Sequence, residues 1–431
     1  MQELLVKYQD EVLVIKNFFS LVLIKLANFA IPLVTLPYVI RVVGVDNVGA
    51  INLASSIMVY ISVVAMFGFN YNGTKYIAKH SSELNKCSRY YSGAIGFQIV
   101  LLFVGLLILS LLVTFIPIIN DIKLVCFLTF GVVIGQVFNS IWVFQGLQKM
   151  KYITGIDLMS KVLFTTLIFL FVKEKNDYWL VPLFTVCGSL VSGITCQFII
   201  KNKFKFTISL KYIFNISVIK WYVNEGKNIF LQQVFVSIYG PLTILILGIY
   251  TSTQHVGYYT IAEKLINIPV VLVIVAVQAY YPYAVKLFDS DIIRYRKQLI
   301  YIVTAIVISM AIISTVLVAF HEVFYKFFTG NEDNLGSKVL SILGLGLAFS
   351  ALGQFLTQVF ITIDKQKTLT KISLFTMLIT CVASPLVIKE YGVLGLSYYT
   401  IMRQLSVISV CLIVVFLFFK PNKGKLCLKR K

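Results

Sequence analysis

Long apolar runs, interrupted at intervals by short polar and basic stretches, set the pattern of this chain. Twelve of them are long enough to cross the hydrocarbon core as helices: 18–40, 48–70, 90–117, 122–145, 152–172, 178–200, 226–250, 256–283, 297–320, 337–361, 368–388 and 393–419. None alternates in polarity as barrel strands do, and backbone groups in lipid must be paired within their own segment, so the runs predict helices. The expected fold class is an all-α polytopic membrane protein with twelve transmembrane helices.

The pattern also repeats. PYVIRVVG at 37–44 is answered by PLTILILG at 241–248, and VGAINLA at 48–54 by VGYYTIA at 256–262. A weaker echo pairs Phe144, Lys149 and Lys151 with Phe360, Lys365 and Lys367. Each half carries six runs, an even number, so both enter the membrane from the same side and the repeat is parallel. The expected organisation is an N-terminal six-helix bundle (1–200), a linker (201–225) and a C-terminal six-helix bundle with a basic tail (226–431). Ile208, Tyr212, Ile213, Ile216 and Ile219 with Trp221 suggest an amphipathic helix on the membrane surface in that linker; a plain connection is the equal alternative.

With 58% hydrophobic and 13% charged residues over 431 positions, a soluble domain is excluded. The net charge of +20 would suit a nucleic-acid binder, but its distribution argues against one. With the N-terminus inside, 27 Lys and Arg lie in or beside the inner segments and 7 in or beside the outer loops. This positive-inside bias places both termini in the cytoplasm. The tail Lys420–Lys431 then reads as a solvated, lipid-facing end, not a nucleic-acid arm. No cleavable signal peptide is expected, since Glu3, Asp10 and Glu11 precede the first run and no small-residue cleavage site follows it. Seven cysteines without a CxxC pair and three scattered histidines suggest neither a disulfide framework nor a metal site. Trp142, Trp179, Tyr280, Tyr281 and Tyr283 fall where aromatic belts form.

Four cations remain inside the runs: Lys25, Lys161, Lys264 and Arg403. A charge at the bilayer centre costs at least ~2.5–3.5 kcal/mol and is rarely kept without a partner or a task. One acid, Glu263, is clearly within a run, so the balance points to an anionic substrate. Lys161 has Asp157 one turn earlier and reads as a structural pair. Lys25 can also snorkel to the interface. Polar residues share faces: Lys25, Asn28 and Pro32 in the first run; Lys264 and Asn267 with Glu263 beside them, and Gln278 further on, in the eighth; Tyr399, Arg403 and Ser406 in the twelfth. Asn228, Gln232, Gln233 and Ser237 in the seventh run and Gln354 and Gln358 in the tenth extend the set. Such stripes need a wet or protein-lined space, which a central cavity supplies. Candidate substrate-binding residues are therefore Lys25, Asn28, Lys264, Asn267 and Arg403, with Glu263 either a coupling site for protons or sodium or a neutralising partner. Pro37 and Pro241 hold matching places in the repeat and are candidate hinges.

The stretch LPYVIRVVGVDNVGAINLASSIMVYISVVAMFGFNYNGTKYIAKH (36–80) resembles the opening of the polysaccharide-transporter family, which includes the Wzx-type O-antigen flippases of the MOP exporter superfamily. Leu36-Pro37-Tyr38 before Arg41, then Gly44, Gly49, Gly68 and Gly73-Thr74-Lys75, carry the likeness, followed by WVFQGLQKMK (142–151), YYTIAEKLINIPV (258–270) and Pro282. The resemblance implies two six-helix bundles around a central cavity in the bacterial cytoplasmic membrane. It implies movement of a polyprenyl-pyrophosphate-linked oligosaccharide, an O-antigen or capsule repeat unit, to the periplasmic leaflet. Membrane lipids, a polysaccharide polymerase and chain-length machinery are the partners it implies, with no cofactor. Lys and Arg would meet the pyrophosphate as it leaves water, and amides and aromatics would meet the sugars. The alternative within the superfamily is an ion-coupled small-molecule exporter, which typically has an acid in its first or seventh span; here those spans have none. A major-facilitator carrier should have a Gly-Asp-Arg-Gly-Arg-like run after the second span, where this chain reads NYNGTKYIAKHSSELNKCSRYY. A membrane polymerase needs a large outer loop with catalytic residues, and His321-Glu322 in the short 321–336 connection has no such companions.

Overall fold

The computed structural model describes residue 31 and residues 34–209, 216–237 and 239–419; Lys25, Asn28, Pro32 and the tail 420–431 lie outside these. The described chain is helical almost throughout. Its first helices are α1 (Val34–Val43), α2 (Val45–Met66), α3 (Phe69–Lys79), α4 (Leu84–Phe115), α5 (Pro117–Asp121) and α6 (Lys123–Phe138). Next come α7 (Ile141–Gly146), α8 (Met150–Phe171), α9 (Leu180–Asn202), α10 (Ile216–Ser237), α11 (Tyr239–Tyr250) and α12 (Thr253–Ser290). The last are α13 (Ile292–Ala319), α14 (His321–Thr329), α15 (Asn334–Leu345), α16 (Leu347–Thr362) and α17 (Gln366–Phe419). Among the described residues eight helical stretches are long and apolar enough to cross a membrane, or nine if α15 and α16, bent by 46°, form one span. The protein is a multi-pass membrane protein.

α17 is not one straight rod. Its 54 residues would extend roughly 80 Å at 1.5 Å per residue, far beyond a bilayer core. Gly392 interrupts it with φ 59° and ψ −146°, backbone angles that only glycine adopts freely. The Tyr399 hydroxyl donates to Thr380 Oγ1 at 3.1 Å. Residues 19 apart meet that way only if the helix folds back, so 366–391 and 393–419 are two antiparallel arms.

Contacts divide the chain into two compact units, Met1–Gly257 and Tyr258–Lys431. In the first, α6 packs on α9 and α2, α8 on α9, and α10 and α11 on α2. α10 is continuous across residue 225, where the sequence placed the end of the linker. Residues 203–209 are not helical, so Ile208 is not part of an amphipathic helix. The reason is local: the Thr207 and Ser209 amides donate to the Ser88 and Ser92 hydroxyls of α4, at 3.2 and 3.0 Å, and are diverted from a helical ladder.

Trp142 corrects the aromatic-belt reading. It is fully buried, packed at 5.8–5.9 Å against Phe69, Tyr90 and Tyr91. A methyl added to Gly73 would lie 2.5 Å from its ring, so the close approach of α3 to α7 needs glycine there. Beside it the Thr74 hydroxyl donates to Gln145 Oε1 at 3.2 Å. Two separated family-like segments, 36–80 and 142–151, are thus in contact. Tyr222 closes this aromatic cluster from α10, donating to the Tyr90 carbonyl at 2.6 Å.

Two residues of the weakest sequence echo take the same backbone turn. The Lys149 amide donates to the Phe144 carbonyl at 2.8 Å across Gln148 (φ 58°); the Lys365 amide donates to the Phe360 carbonyl at 2.9 Å across Asp364 (φ 55°). Both are Schellman-type helix endings, built at matching positions of the weakest sequence echo. The glycines of the VG echo touch each other's helices. A methyl on Gly49 would lie 1.8 Å from the Thr253 carbonyl oxygen, and one on Gly257 would lie 2.2 Å from that of Val45. Val45 and Thr253 are themselves equivalent in the repeat, so α2 and the start of α12 cross reciprocally. The Thr253 hydroxyl donates to the Asp46 carboxylate beside this crossing.

Candidate functional site

Polar side chains buried between apolar helices must find partners on neighbouring helices, and in the second unit they converge on the second arm of α17. Three positions within little more than one turn of it reach three different elements. Tyr399 donates to Thr380 in the first arm, and Thr400 exchanges a hydrogen bond with the buried Tyr259 hydroxyl of α12 at 3.0 Å. Gln404 Oε1 accepts from Ser350 of α16 at 3.3 Å. The Tyr259–Thr400 bond fixes the register between α12 and this arm. One turn on, it brings Glu263 to the level of Arg403, and the Glu263 carboxylate interacts with the charges of both Arg403 and Lys264.

This cluster revises the charge imbalance of the sequence. Lys161 is paired within its own helix, to Asp157 Oδ2 at 3.0 Å. Lys264 and Arg403 both stand within electrostatic reach of the Glu263 carboxylate, so the group is two cations beside one acid. Glu263 and Arg403 are half-buried, whereas Lys264 and Asn267 are accessible and, three residues apart, share a helix face on which Gln278 is also accessible. Tyr259, Thr400 and Gln404 were missed by sequence reasoning. Their signal was there: hydroxyls and an amide at one- and four-residue spacings from Tyr399, Glu263 or one another within apolar runs.

The first unit has a cavity of ≈ 500 Å³ with a different chemistry. Ser55 and Ser62 of α2, Gln136 of α6, Thr185 of α9 and Gln233 and Ser237 of α10 are among its lining residues. Its described lining carries hydroxyls and amides but no charged side chain. Gln233 and Ser237 were expected on a polar face, and they line this cavity; the side chains of Asn228 and Gln232 lie outside the described residues. In the sequence repeat Ser55 takes the place of Glu263, so the charged site of one unit has a neutral counterpart in the other. Pro37 lies in α1 and Pro241 in α11.

The family model described as "Polysaccharide biosynthesis protein" matches residues 14–288. The chain belongs to this family. A second model, MatE, matches residues 229–386. A relative in Escherichia coli (strain K12), named "Putative O-antigen transporter", is 27% identical over 270 residues, 62% of this chain and 64% of that protein. A relative of the same name in Shigella dysenteriae is 26% identical over 387 residues, 88% of this chain and 94% of that one. The chain thus spans under two thirds of the Escherichia coli relative and nearly all of the Shigella one. Among solved structures, the lipid II flippase MurJ in an inward closed conformation aligns with a TM-score of 0.69, at 17% identity, covering 91% of this chain and 87% of that one. An inward-facing multidrug resistance MATE transporter of the MOP superfamily aligns equally well, with a TM-score of 0.69, 13% identity and 90% and 94% coverage. At these identities the likeness is one of fold.

Proposed function

We propose that the protein is a transporter, not an enzyme, and that it moves a polyprenyl-pyrophosphate-linked oligosaccharide from the cytoplasmic to the opposite leaflet by alternating access. The observation that carries this reading is the Glu263–Lys264–Arg403 cluster, two cations beside one acid within membrane helices. An anionic headgroup stripped of water needs such a group, while a lipid tail can remain in the bilayer. Two cations beside one acid fit release as well as capture, because a site with many cations would hold a pyrophosphate too tightly to discharge it. The neutral hydroxyl- and amide-lined cavity of the first unit suits the sugars, which offer hydroxyls and accept hydrogen bonds without asking for charge.

The family and the names of its relatives support this substrate class. The reading takes twelve spans in two parallel halves, both termini in the cytoplasm and the bacterial cytoplasmic membrane as its site, with a polymerase and chain-length machinery downstream. Lys25 and Asn28 belong to its substrate path, Pro37 and Pro241 to its gates, and Glu263 to coupling by protons or sodium. The MatE match over 229–386 favours one second reading, an ion-coupled exporter of small molecules.

Depletion in cells with no other flippase separates the two. The glycan-linked lipid should collect on the cytoplasmic side, protected from an outside glycosidase or lectin, when the protein is depleted. Normal exposure of that lipid under depletion would remove the flippase reading and leave the exporter.

A further inference from the structure

The two arms of α17 enclose a groove of ≈ 440 Å³ whose walls are apolar but which two cations line, Lys371 and Arg403. Tyr399 and Ser406 line it as well, so the i, i+4, i+7 stripe read in the twelfth run faces this groove. Part of the wall opens outward: Phe375 is 67% exposed and Met402 69%. On a membrane helix such an apolar surface faces hydrocarbon, where a charged side chain is costly and marks a functional position. Apolar walls together with paired cations are the complement of one ligand chemistry, a phosphate-bearing head on a long hydrocarbon chain.

The register of the arms ranks the cations by depth. The Tyr399–Thr380 bond sets those residues level, and the arms are antiparallel, so Arg403 comes level with Thr376. Lys371 lies five residues from Thr376, roughly 7–8 Å along the axis, and only five residues from the helix start at Gln366. Lys371 therefore sits near the end of its span and Arg403 deeper. An ordinary phospholipid, with one phosphate held at the interface, meets only the first. A head that travels inward meets Lys371 and then Arg403, and Arg403 also interacts with Glu263 of the charged cluster.

We propose that this groove is the lateral slot for the carried lipid: its diphosphate passes from Lys371 to Arg403 while the prenyl chain lies along the Phe375 and Met402 wall. The proposal rests on the flippase reading and adds where the lipid enters. A short-chain prenyl diphosphate with a photoreactive group in its first isoprene unit tests it on the full-length protein in lipid nanodiscs. Label is expected in 371–380 and 399–410, reduced at least fivefold by Lys371→Gln, restored by Lys371→Arg, and displaced by unlabelled prenyl diphosphate but not by phosphatidylglycerol. Specific labelling confined to other segments would overturn the slot and leave the flippase standing. Equal displacement by phosphatidylglycerol would reduce the groove to a site for bilayer lipid and overturn it too. No specific labelling anywhere in the protein would overturn both readings. Unchanged labelling in Lys371→Gln, with the variant folded as judged by its elution and melting profile, would remove Lys371 from the slot.

Discussion

Lys264→Ala and Arg403→Ala should each lower glycan-lipid movement at least tenfold, with protein level in the membrane unchanged. Each removes one of the two cations that stand beside the Glu263 carboxylate, and with it a contact for the anionic headgroup. Tenfold corresponds to about 1.4 kcal/mol, a modest demand on a charge-assisted contact in a dehydrated site. The charge-keeping exchanges Lys264→Arg and Arg403→Lys should recover part of the loss, with Arg403→Lys the poorer because a guanidinium holds two oxygens at once. Lys161→Met is the internal control. Its partner Asp157 lies on its own helix at 3.0 Å, a local pair worth a few tenths of a kcal/mol, and transport should stay within twofold. Initial rates of lipid exposure in cells expressing each variant at matched levels check this set. An Arg403→Ala variant as active as the parent would remove the cluster from the mechanism.

The second large effect is steric. Gly49→Ala and Gly257→Ala should each destabilise the protein by about 1–3 kcal/mol or more and depress transport in proportion, because the added methyl meets backbone carbonyl oxygens that cannot rotate aside. Gly155→Ala, where nothing lies within 4 Å, is the matched control and should be neutral or slightly stabilising through helix propensity. The two clashes occur at one reciprocal crossing, so the double variant should cost less than the sum of the singles; once the helices have parted for one methyl, the other fits. Melting profiles of the purified variants read this directly. Additive costs would mean that the two glycines act at independent contacts.

What could be read from the sequence, and what could not, follows from what hydropathy encodes. Apolar run length located the eight or nine spanning stretches of the described residues, because an element that crosses lipid must be apolar for about 20 residues whatever it packs against. One-helix geometry was equally legible. The Lys161–Asp157 pair and the shared face of Tyr399, Arg403 and Ser406 are set by the 3.6-residue period alone. The echo of Phe144 and Lys149 in Phe360 and Lys365 looked weak in letters yet marks the same helix ending twice.

Packing between helices was not legible. A face against another helix and a face against lipid are both apolar, so Trp142 reads as a belt residue although it is buried against Phe69, Tyr90 and Tyr91. The same ambiguity hid the contact of Gly49 with Thr253 and the bond from Tyr259 to Thr400, which decides where Glu263 meets Arg403. The cation count alone overstated the need for an external anion: it saw four charges and one acid, where the structure finds one cation paired locally and two within electrostatic reach of Glu263.

Purified protein in vesicles decides whether this chain carries a lipid-linked oligosaccharide by its charged headgroup. Polyprenyl-diphosphate oligosaccharide is placed in both leaflets and the fraction open to an external glycosidase is followed over time. Accessibility should rise from about half to nearly all with the wild-type protein, and stay near half in protein-free vesicles and with Arg403→Ala. If wild-type vesicles stay at half while the same preparation exchanges a small cationic dye for protons, the chain is an exporter of small molecules and not a flippase.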